Sequence, residues 1–199
     1  MAVSGIVLAG GRSLRMGTDK TQLAWGKYTL LEQTVCRLLG ITDDVLVVGG
    51  LAGNYCLQGV RQVQDRYEGR GPLGGIHAGL LAAKYEAALV LSCDMPFVTT
   101  ELAAFLAAKS DGFAAVTPRC GGRVEPLCAV YARSCLAVIE DLLQGGENQV
   151  RQVFSRVNTC YVEEAELQLF GNANQLFFNL NTPQDWQEAL RCKEAGYGS

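Results

Sequence analysis

Ser4-Gly-Ile-Val-Leu-Ala-Gly-Gly-Arg-Ser-Leu-Arg-Met-Gly-Thr-Asp-Lys20 stands near the start of a 199-residue chain and decides how the rest is read. Ser4–Ala9 is a short apolar run halted by Gly10-Gly11, the pattern of a buried strand that ends in a turn. Gly10, Gly11 and Gly17 free the backbone to turn tightly and approach a ligand closely. Successive N–H groups in such a loop form a concave anion site, to which Arg15 adds a charged fork and Lys20 a point charge. A Gly-rich surface loop with solvated cations is the plain alternative, and two glycines after a strand do not separate the two. The Walker spacing G-x-x-x-x-G-K-[ST] is absent.

Outward from this loop, strand-like and helix-like runs alternate. Thr29-Leu-Leu-Glu32 reads as a capping box, after which Leu31, Val35, Leu38 and Leu39 share one helical face. Val45–Val48 is a second strand, ended by Gly49-Gly50, and Val60–Val63 a short third. Gly74–Lys84 is predicted helical with Ile76 and Leu80 inward, Ala87–Ser92 a strand and Thr100–Ala108 a helix. Beyond them Ala114–Thr117 and Leu127–Tyr131 are expected as strands and Ser134–Leu143 as a helix. Thr182-Pro183-Gln184-Asp185 opens a last helix with Thr as N-cap and Pro in the first turn. Such alternation implies βαβ units and a mostly parallel sheet. No linker rich in Pro, Gly or Ser divides the chain, so one domain over 1–199 is expected, with Glu194–Ser199 frayed.

Composition narrows the function. About half of the residues are apolar (49%), enough to fill a core, and the net charge of −3 comes without a basic stripe. A duplex nucleic-acid partner calls for clustered Lys and Arg, whereas backbone N–H groups alone can hold a single nucleotide. No apolar run has membrane-spanning length and no basic n-region opens the chain. The eight cysteines, at 36, 56, 93, 120, 128, 135, 160 and 192, include no C-x-x-C pair. They read as reduced, mostly small core hydrophobes of a cytoplasmic protein.

The loop closely resembles the signature L-A-G-G-x-S-x-R-M-G-x-D-K of the molybdenum cofactor guanylyltransferases, and every fixed position is filled. Three further segments resemble that family in the same order. They are Gln64-Asp65 with Gly71-Pro-Leu-Gly-Gly75, Leu91-Ser-Cys-Asp-Met-Pro96, and Phe178-Asn-Leu-Asn-Thr-Pro183. Arg123–Tyr131, with Glu125-Pro-Leu127 inside it, is similar to the family's acceptor-side strand. The resemblance implies a three-layer α/β/α sandwich, Rossmann-like, of the nucleotide-diphospho-sugar transferase type, with its site at the carboxyl ends of the strands.

It further implies that a terminal phosphate of molybdopterin attacks the α-phosphorus of GTP and expels pyrophosphate, chemistry that rests on positioning and charge neutralisation. Asp94, directly after the Ala87–Ser92 strand, is the implied ligand of Mg²⁺ and the alternative is a turn aspartate before Pro96. Arg15 and Lys20 are the implied partners of the β- and γ-phosphates, and Leu8, Ala9, Gly10 and Gly11 lend backbone groups to the nucleotide. Asp65 is the implied nucleotide contact by position, and Asn179 and Asn181 are candidates for metal or phosphate. One departure stands out, because Gly49-Gly50 occupies the place where the family often has an asparagine near the guanine base. A cytidylyltransferase or sugar-phosphate nucleotidyltransferase on the same fold, or a non-catalytic nucleotide sensor, therefore stays open. The product is labile in water, so handover to molybdenum-cofactor biosynthesis or target-enzyme chaperone proteins is expected.

Other signals carry less. Gly69-Arg-Gly-Pro-Leu-Gly74 satisfies G-x-G-x-x-G, but it does not follow its strand directly and holds a proline, against a dinucleotide fingerprint. His77, the single histidine, is expected at a solvent-facing helix end rather than as a ligand or base. Trp25 reads as packing, and Glu163, Glu164 and Glu166 as a solvated acidic turn.

Overall fold

In the computed structural model, which describes residues 2–9, 20–49, 57–67 and 69–195, β1 (Val3–Leu8) is the buried central strand of the sheet. A 3-10 turn at Lys20–Gln22 and a small hairpin of β2 (Ala24–Trp25) and β3 (Tyr28–Thr29) lead into α1 (Leu30–Leu39). The capping box closes as expected: Thr29 Oγ1 accepts from Glu32 N at 3.2 Å and the Glu32 carboxylate accepts from Thr29 N at 2.7 Å. Leu30, Leu31, Val35 and Leu38 are buried, whereas Leu39, expected on the same face, is 40% exposed. Then come β4 (Val45–Val48), β5 (Val60–Val63), α2 (Gly71–Ala82), β6 (Ala87–Ser92) and α3 (Thr100–Ala108). The second half holds β7 (Ala115–Cys120), β8 (Arg123–Val124), β9 (Cys128–Ala132), α4 (Leu136–Gln144), α5 (Arg151–Phe154) and β10 (Thr159–Glu163). Two short helices, α6 (Glu164–Leu167) and α7 (Ala173–Leu176), precede α8 (Pro183–Glu194). Glu194 closes α8 rather than fraying, and residues 196–199 lie outside the described residues.

The main sheet runs β10-β7-β9-β6-β1-β4-β5, with β8 hydrogen-bonded to β7. β1 pairs in parallel with β4 and β6, β4 with β5, and β7 with β10; β9 is antiparallel to both β6 and β7. The sheet is thus mostly parallel, with one reversed strand beside β6. From β1 the chain winds outward through β4 and β5, then returns to β6 on the other side. The order therefore reverses between β1 and β6, the crevice where open α/β sheets bind ligands.

Both faces of the sheet are covered. Val3 and Val7, Val45 and Val47, and Leu89 and Leu91 pack with α1 and α3 on one face. Ile6 and Leu8, Leu46 and Val48, and Ala88 and Val90 pack with α2, α4 and α5 on the other. Near-continuous apolar strands are what burial on two sides requires, and the three-layer α/β/α sandwich is the result. Close packing of α2 depends on glycine: a Cβ on Gly79 would lie 2.6 Å from Ile6 Cδ1, and one on Gly75 2.9 Å from Leu8 Cδ2. Gly79→Ala is expected to lose about 1–3 kcal/mol of stability, read from urea denaturation, because several Ile6 atoms must move.

At the opposite, amino-terminal edge of β1, the buried Asp44 carboxylate ties three segments together. It accepts from Ser4 Oγ at 2.6 Å, from Lys84 N at 2.9 Å and from Arg61 Nη2 at 2.6 Å. Desolvation raises its pKa, but these hydrogen bonds and the Arg61 charge outweigh it and hold the carboxyl below its ordinary value. A depressed pKa contributes stability that is present above the ordinary aspartate range, about pH 4, and is lost as pH falls through the lower folded value. Asp44→Asn is therefore expected to destabilise the protein at pH 7 and to flatten part of the fall in stability below about pH 4, measured as denaturation midpoints across pH.

Candidate active site

Leu8 and Ser92 are register partners at the carboxyl ends of β1 and β6, and the chain leaves both strands at the same edge. Ala9 N donates to Val48 O at 2.9 Å, which holds the start of the first loop against the end of β4. Below it, the buried Cys93 thiol donates to Leu8 O at 3.1 Å, joining the two exits directly. Gly10, Gly11 and Arg15, expected to hold phosphate, lie outside the described residues, as does Gly50.

Asp94 is half-buried one residue further along. Its Oδ1 accepts from Ser92 Oγ at 2.6 Å, while Oδ2 takes no hydrogen bond among the described residues. Its main-chain oxygen accepts from Leu180 N at 2.9 Å, which brings in the segment between Asn179 and Asn181. Asn181 Oδ1 accepts from Lys20 Nζ at 3.2 Å, across 161 positions of sequence. Asn181 N and Thr182 N both donate to Asp185 Oδ2 at 2.8 Å, and Thr182 Oγ1 accepts from Asp185 N at 3.1 Å, so the cap of α8 also fixes Asn181. Burial raises the Asp185 pKa, but those N–H groups and the nearby Lys20 charge win and keep it lowered. Asn179 is turned differently, its Nδ2 donating to Phe177 O at 3.0 Å. Lys20, Asp94 and Asn181 are thus gathered, with Asn179 beside them.

Asp65 reaches the same edge from the end of β5. Its Oδ1 accepts from Tyr67 N at 2.8 Å, and its two carboxylate oxygens lie 2.8 and 2.9 Å from where a Cβ on Gly74 would stand. The carboxylate is seated against the first turn of α2, in a space only glycine leaves. Gly69 and Gly71, at φ of 80° and 62°, make the turn into that helix in the left-handed region, where glycine is at ease.

The sequence reading missed three features. α2 begins at Gly71, not Gly74, with Pro72 in its first turn, and it ends at Ala82. Leu73, Ile76, His77 and Leu80 then fall at i, i+3, i+4 and i+7, one helical stripe. His77 is accordingly 3% exposed and not solvent-facing, with Nε2 3.0 Å from Glu140 Oε1 and its ring edge-on to Tyr67. Second, the acidic turn is more than a solvated face: Glu163 pairs with Arg119, and Glu166 with Lys109 at 2.7 Å. Third, Ser92 and Gly74 support Asp94 and Asp65, roles that a hydroxyl two residues before a carboxylate and a glycine in a helix do not announce. Trp25 is packing, as expected, buried between Phe97 and Trp186. Among the described cysteines Cys93, Cys128 and Cys135 are buried and Cys36 is exposed; Cys56 lies outside the described residues.

A family model described as "MobA-like NTP transferase domain" matches residues 5–160, more than half of the chain. The chain belongs to this family. A probable molybdenum cofactor guanylyltransferase of Pelotomaculum thermopropionicum is 37% identical over 189 residues, 95% of this chain and 92% of that one. A molybdenum cofactor guanylyltransferase of Desulfosudis oleivorans is 32% identical over 197 residues, 98% of each chain. Among solved structures, molybdopterin-guanine dinucleotide biosynthesis protein A of Archaeoglobus fulgidus superposes with a TM-score of 0.81 at 27% identity, over 96% of this chain and all of that one. The gathered residues stand at the crevice between β1 and β6, where open α/β sheets bind ligands.

Among the described residues no group of three or more His, Cys, Asp or Glu is placed to hold a metal ion. Among the described residues a divalent cation beside Asp94 would meet that one carboxylate, leaving its other positions to phosphate and water oxygens. That is the habit of Mg²⁺, and the Asp94 Oδ2 position fits it. Gly74→Ala is expected to push Asp65 off its seat and weaken nucleoside triphosphate binding by about 3- to 30-fold, while leaving the fold intact, measured by calorimetric titration beside a denaturation curve.

Proposed function

We propose that the protein transfers GMP from GTP to the terminal phosphate of molybdopterin, forming molybdopterin guanine dinucleotide and pyrophosphate. The observation that carries the reading is the meeting of three distant segments at one strand edge. The Lys20–Asn181 and Leu180–Asp94 hydrogen bonds bring together the end of the Gly-rich loop, the carboxylate after β6 and the Asn-rich turn before α8. The names carried by relatives of nearly the same length supply the guanine nucleotide and the pterin acceptor.

A non-bridging oxygen of the acceptor phosphate forms the new bond to the α-phosphorus, and the bond from that phosphorus to the α,β-bridging oxygen breaks. Pyrophosphate leaves with the electron pair. The attacking oxygen is already deprotonated at neutral pH, so no side chain has to serve as nucleophile or base. What the protein supplies is alignment and positive charge. Lys20, held by Asn181 and facing Asp185, meets the β- and γ-phosphates, joined by Arg15 and by the backbone of Leu8, Ala9, Gly10 and Gly11. Asp65 takes the nucleoside. Asp94 would hold Mg²⁺, which when bound would neutralise charge on the triphosphate. Asn181 orients Lys20, and Asn179 lies within the same turn for phosphate contact.

Action as one unit in the cytoplasm belongs to the same reading. No helix among the described residues is long and apolar enough to cross a membrane. A labile product favours direct handover to a cofactor-biosynthesis or target-enzyme chaperone protein.

Thermal melting with GTP, CTP, ATP and UTP, each with and without Mg²⁺, tests the base and the ion together. The midpoint is expected to rise with GTP and further with Mg²⁺, by the equivalent of about 2.7 kcal/mol at a hundredfold excess over the dissociation constant. A rise with CTP alone overturns the guanine assignment, and no rise with any triphosphate overturns the site. Asp94→Ala is expected to lower turnover at least about 100-fold with the melting midpoint of the free protein little changed, and full turnover would remove the metal-ligand role.

A further inference from the structure

Ser92 and Asp94 meet through a hydrogen bond whose two ends are anchored separately. Ser92 is the last residue of β6. It is the register partner of Leu8 in β1, and on its other side its N–H donates to Leu127 O at 2.9 Å. Asp94 is tethered elsewhere. Its main-chain oxygen accepts from Leu180 N at 2.9 Å. The Cys93 thiol before it donates to Leu8 O at 3.1 Å, and the Arg37 guanidinium of α1 donates to Pro96 O after it. Between these fixed points Ser92 Oγ donates to Asp94 Oδ1 at 2.6 Å, the short length of a hydroxyl bonded to a carboxylate.

That contact divides the two carboxylate oxygens. Oδ1 is engaged, and Oδ2 takes no hydrogen bond among the described residues. A cation that meets Oδ2 alone leaves the hydroxyl in place. A cation that takes both oxygens must share Oδ1 with the hydroxyl, which weakens a charge-assisted hydrogen bond. Two ions that accompany triphosphates differ on this point. Mg²⁺ demands near-ideal octahedral geometry, whereas the larger Ca²⁺ gathers about six to eight oxygens and takes carboxylates by one oxygen or by both. Among the described residues no group of three or more His, Cys, Asp or Glu is placed to hold a metal. The way Asp94 binds therefore weighs more than it would in an all-protein cage.

We infer that Ser92 is a positioning residue that keeps Asp94 a one-oxygen ligand and so sets the preference of the site for Mg²⁺ over Ca²⁺. The inference rests on the metal role proposed for Asp94 above and goes beyond it. The carboxylate by itself serves either ion, and the hydroxyl is what separates them. Such selectivity is a difference of two affinities, built here by obstructing one binding mode. Without the hydroxyl, Asp94 gains the two-oxygen mode open to Ca²⁺ and keeps the one-oxygen mode that suits Mg²⁺. A hydroxyl that only supported the turn would treat both ions alike.

Calorimetric titration of the full chain with GTP, in excess Mg²⁺ and separately in excess Ca²⁺, reads this without turnover, since no acceptor is present. The quantity is the ratio of the two dissociation constants. The wild type is expected to favour the Mg²⁺ complex. Ser92→Ala is expected to shrink that preference about 5- to 30-fold, mainly through tighter binding with Ca²⁺. Ser92→Thr keeps the hydroxyl and is expected to hold the wild-type ratio. Should the alanine variant fail to fold, judged by its melting midpoint, Ser92→Cys replaces it, close in size and only a weak donor. A ratio within twofold of wild type in Ser92→Ala overturns the inference and leaves Ser92 a support of the turn. An equal fall in Ser92→Thr overturns it too, because loss of the hydroxyl is then not the cause. Asp94→Ala separates this failure from that of the metal role. If that variant keeps the wild-type preference, Asp94 is not the ligand and the inference falls with it.

Discussion

Helix α2 lies on β1 at a separation that glycine alone permits, and the geometry of the strand edge follows from that contact. Gly79 meets Ile6, Gly75 meets Leu8 and Gly74 leaves room for the Asp65 carboxylate, so these glycines set the helix's distance to the central strand and to Asp65. A second stripe of the helix buries Leu73, Ile76, His77 and Leu80. A bulkier helix would stand further out, opening a gap that close-packed interiors do not tolerate. The backbone freedom of Gly69 and Gly71 then lets the chain turn into the helix directly above the site.

Around that contact, the topology does the gathering. Parallel pairing of β1 with both β4 and β6 sends Ala9, Gly49 and Asp94 out at one edge, and the strand order reverses between β1 and β6 to leave a crevice there. The turn before α8 closes it from above through two hydrogen bonds, one to Asp94 and one from Lys20. The N-cap of α8 has a double duty here. Asp185 satisfies the orphan N–H groups that open a helix and at the same time fixes the asparagine that faces Lys20.

The reversed strand β9 gives the site its two-sidedness. By running antiparallel between β6 and β7, it brings its own start, and the Glu125–Leu127 segment before it, to the edge where its neighbours end. A parallel strand in that position would have brought its own end, not the segment before it, to that edge.

Much of this was legible in residue order. Two-sided burial makes strands that read as unbroken apolar runs, so β1, β4 and β6 could be found from Ser4–Ala9, Val45–Val48 and Ala87–Ser92. Caps are local, so Thr29-Glu32 and Thr182-Asp185 announced α1 and α8. The motif order named Lys20, Asp65, Asp94 and Asn181 because each lies beside a strand end or helix start that has its own signal. What sequence left open depends on contacts between distant segments. The sequence reads His77 as a solvent-facing or helix-end residue, because a helix start placed three residues late hides the stripe it shares with Leu73 and Leu80. That Ser92 braces Asp94 and that Lys20 meets Asn181 depend on how the sheet brings distant segments together. Local chemistry along the chain determined the elements and the Gly-rich, cationic make-up of the first loop. Only the register of β1, β6 and β9 decided which of those groups stand together, because a hydrogen bond between residues 161 positions apart exists nowhere until the sheet has formed.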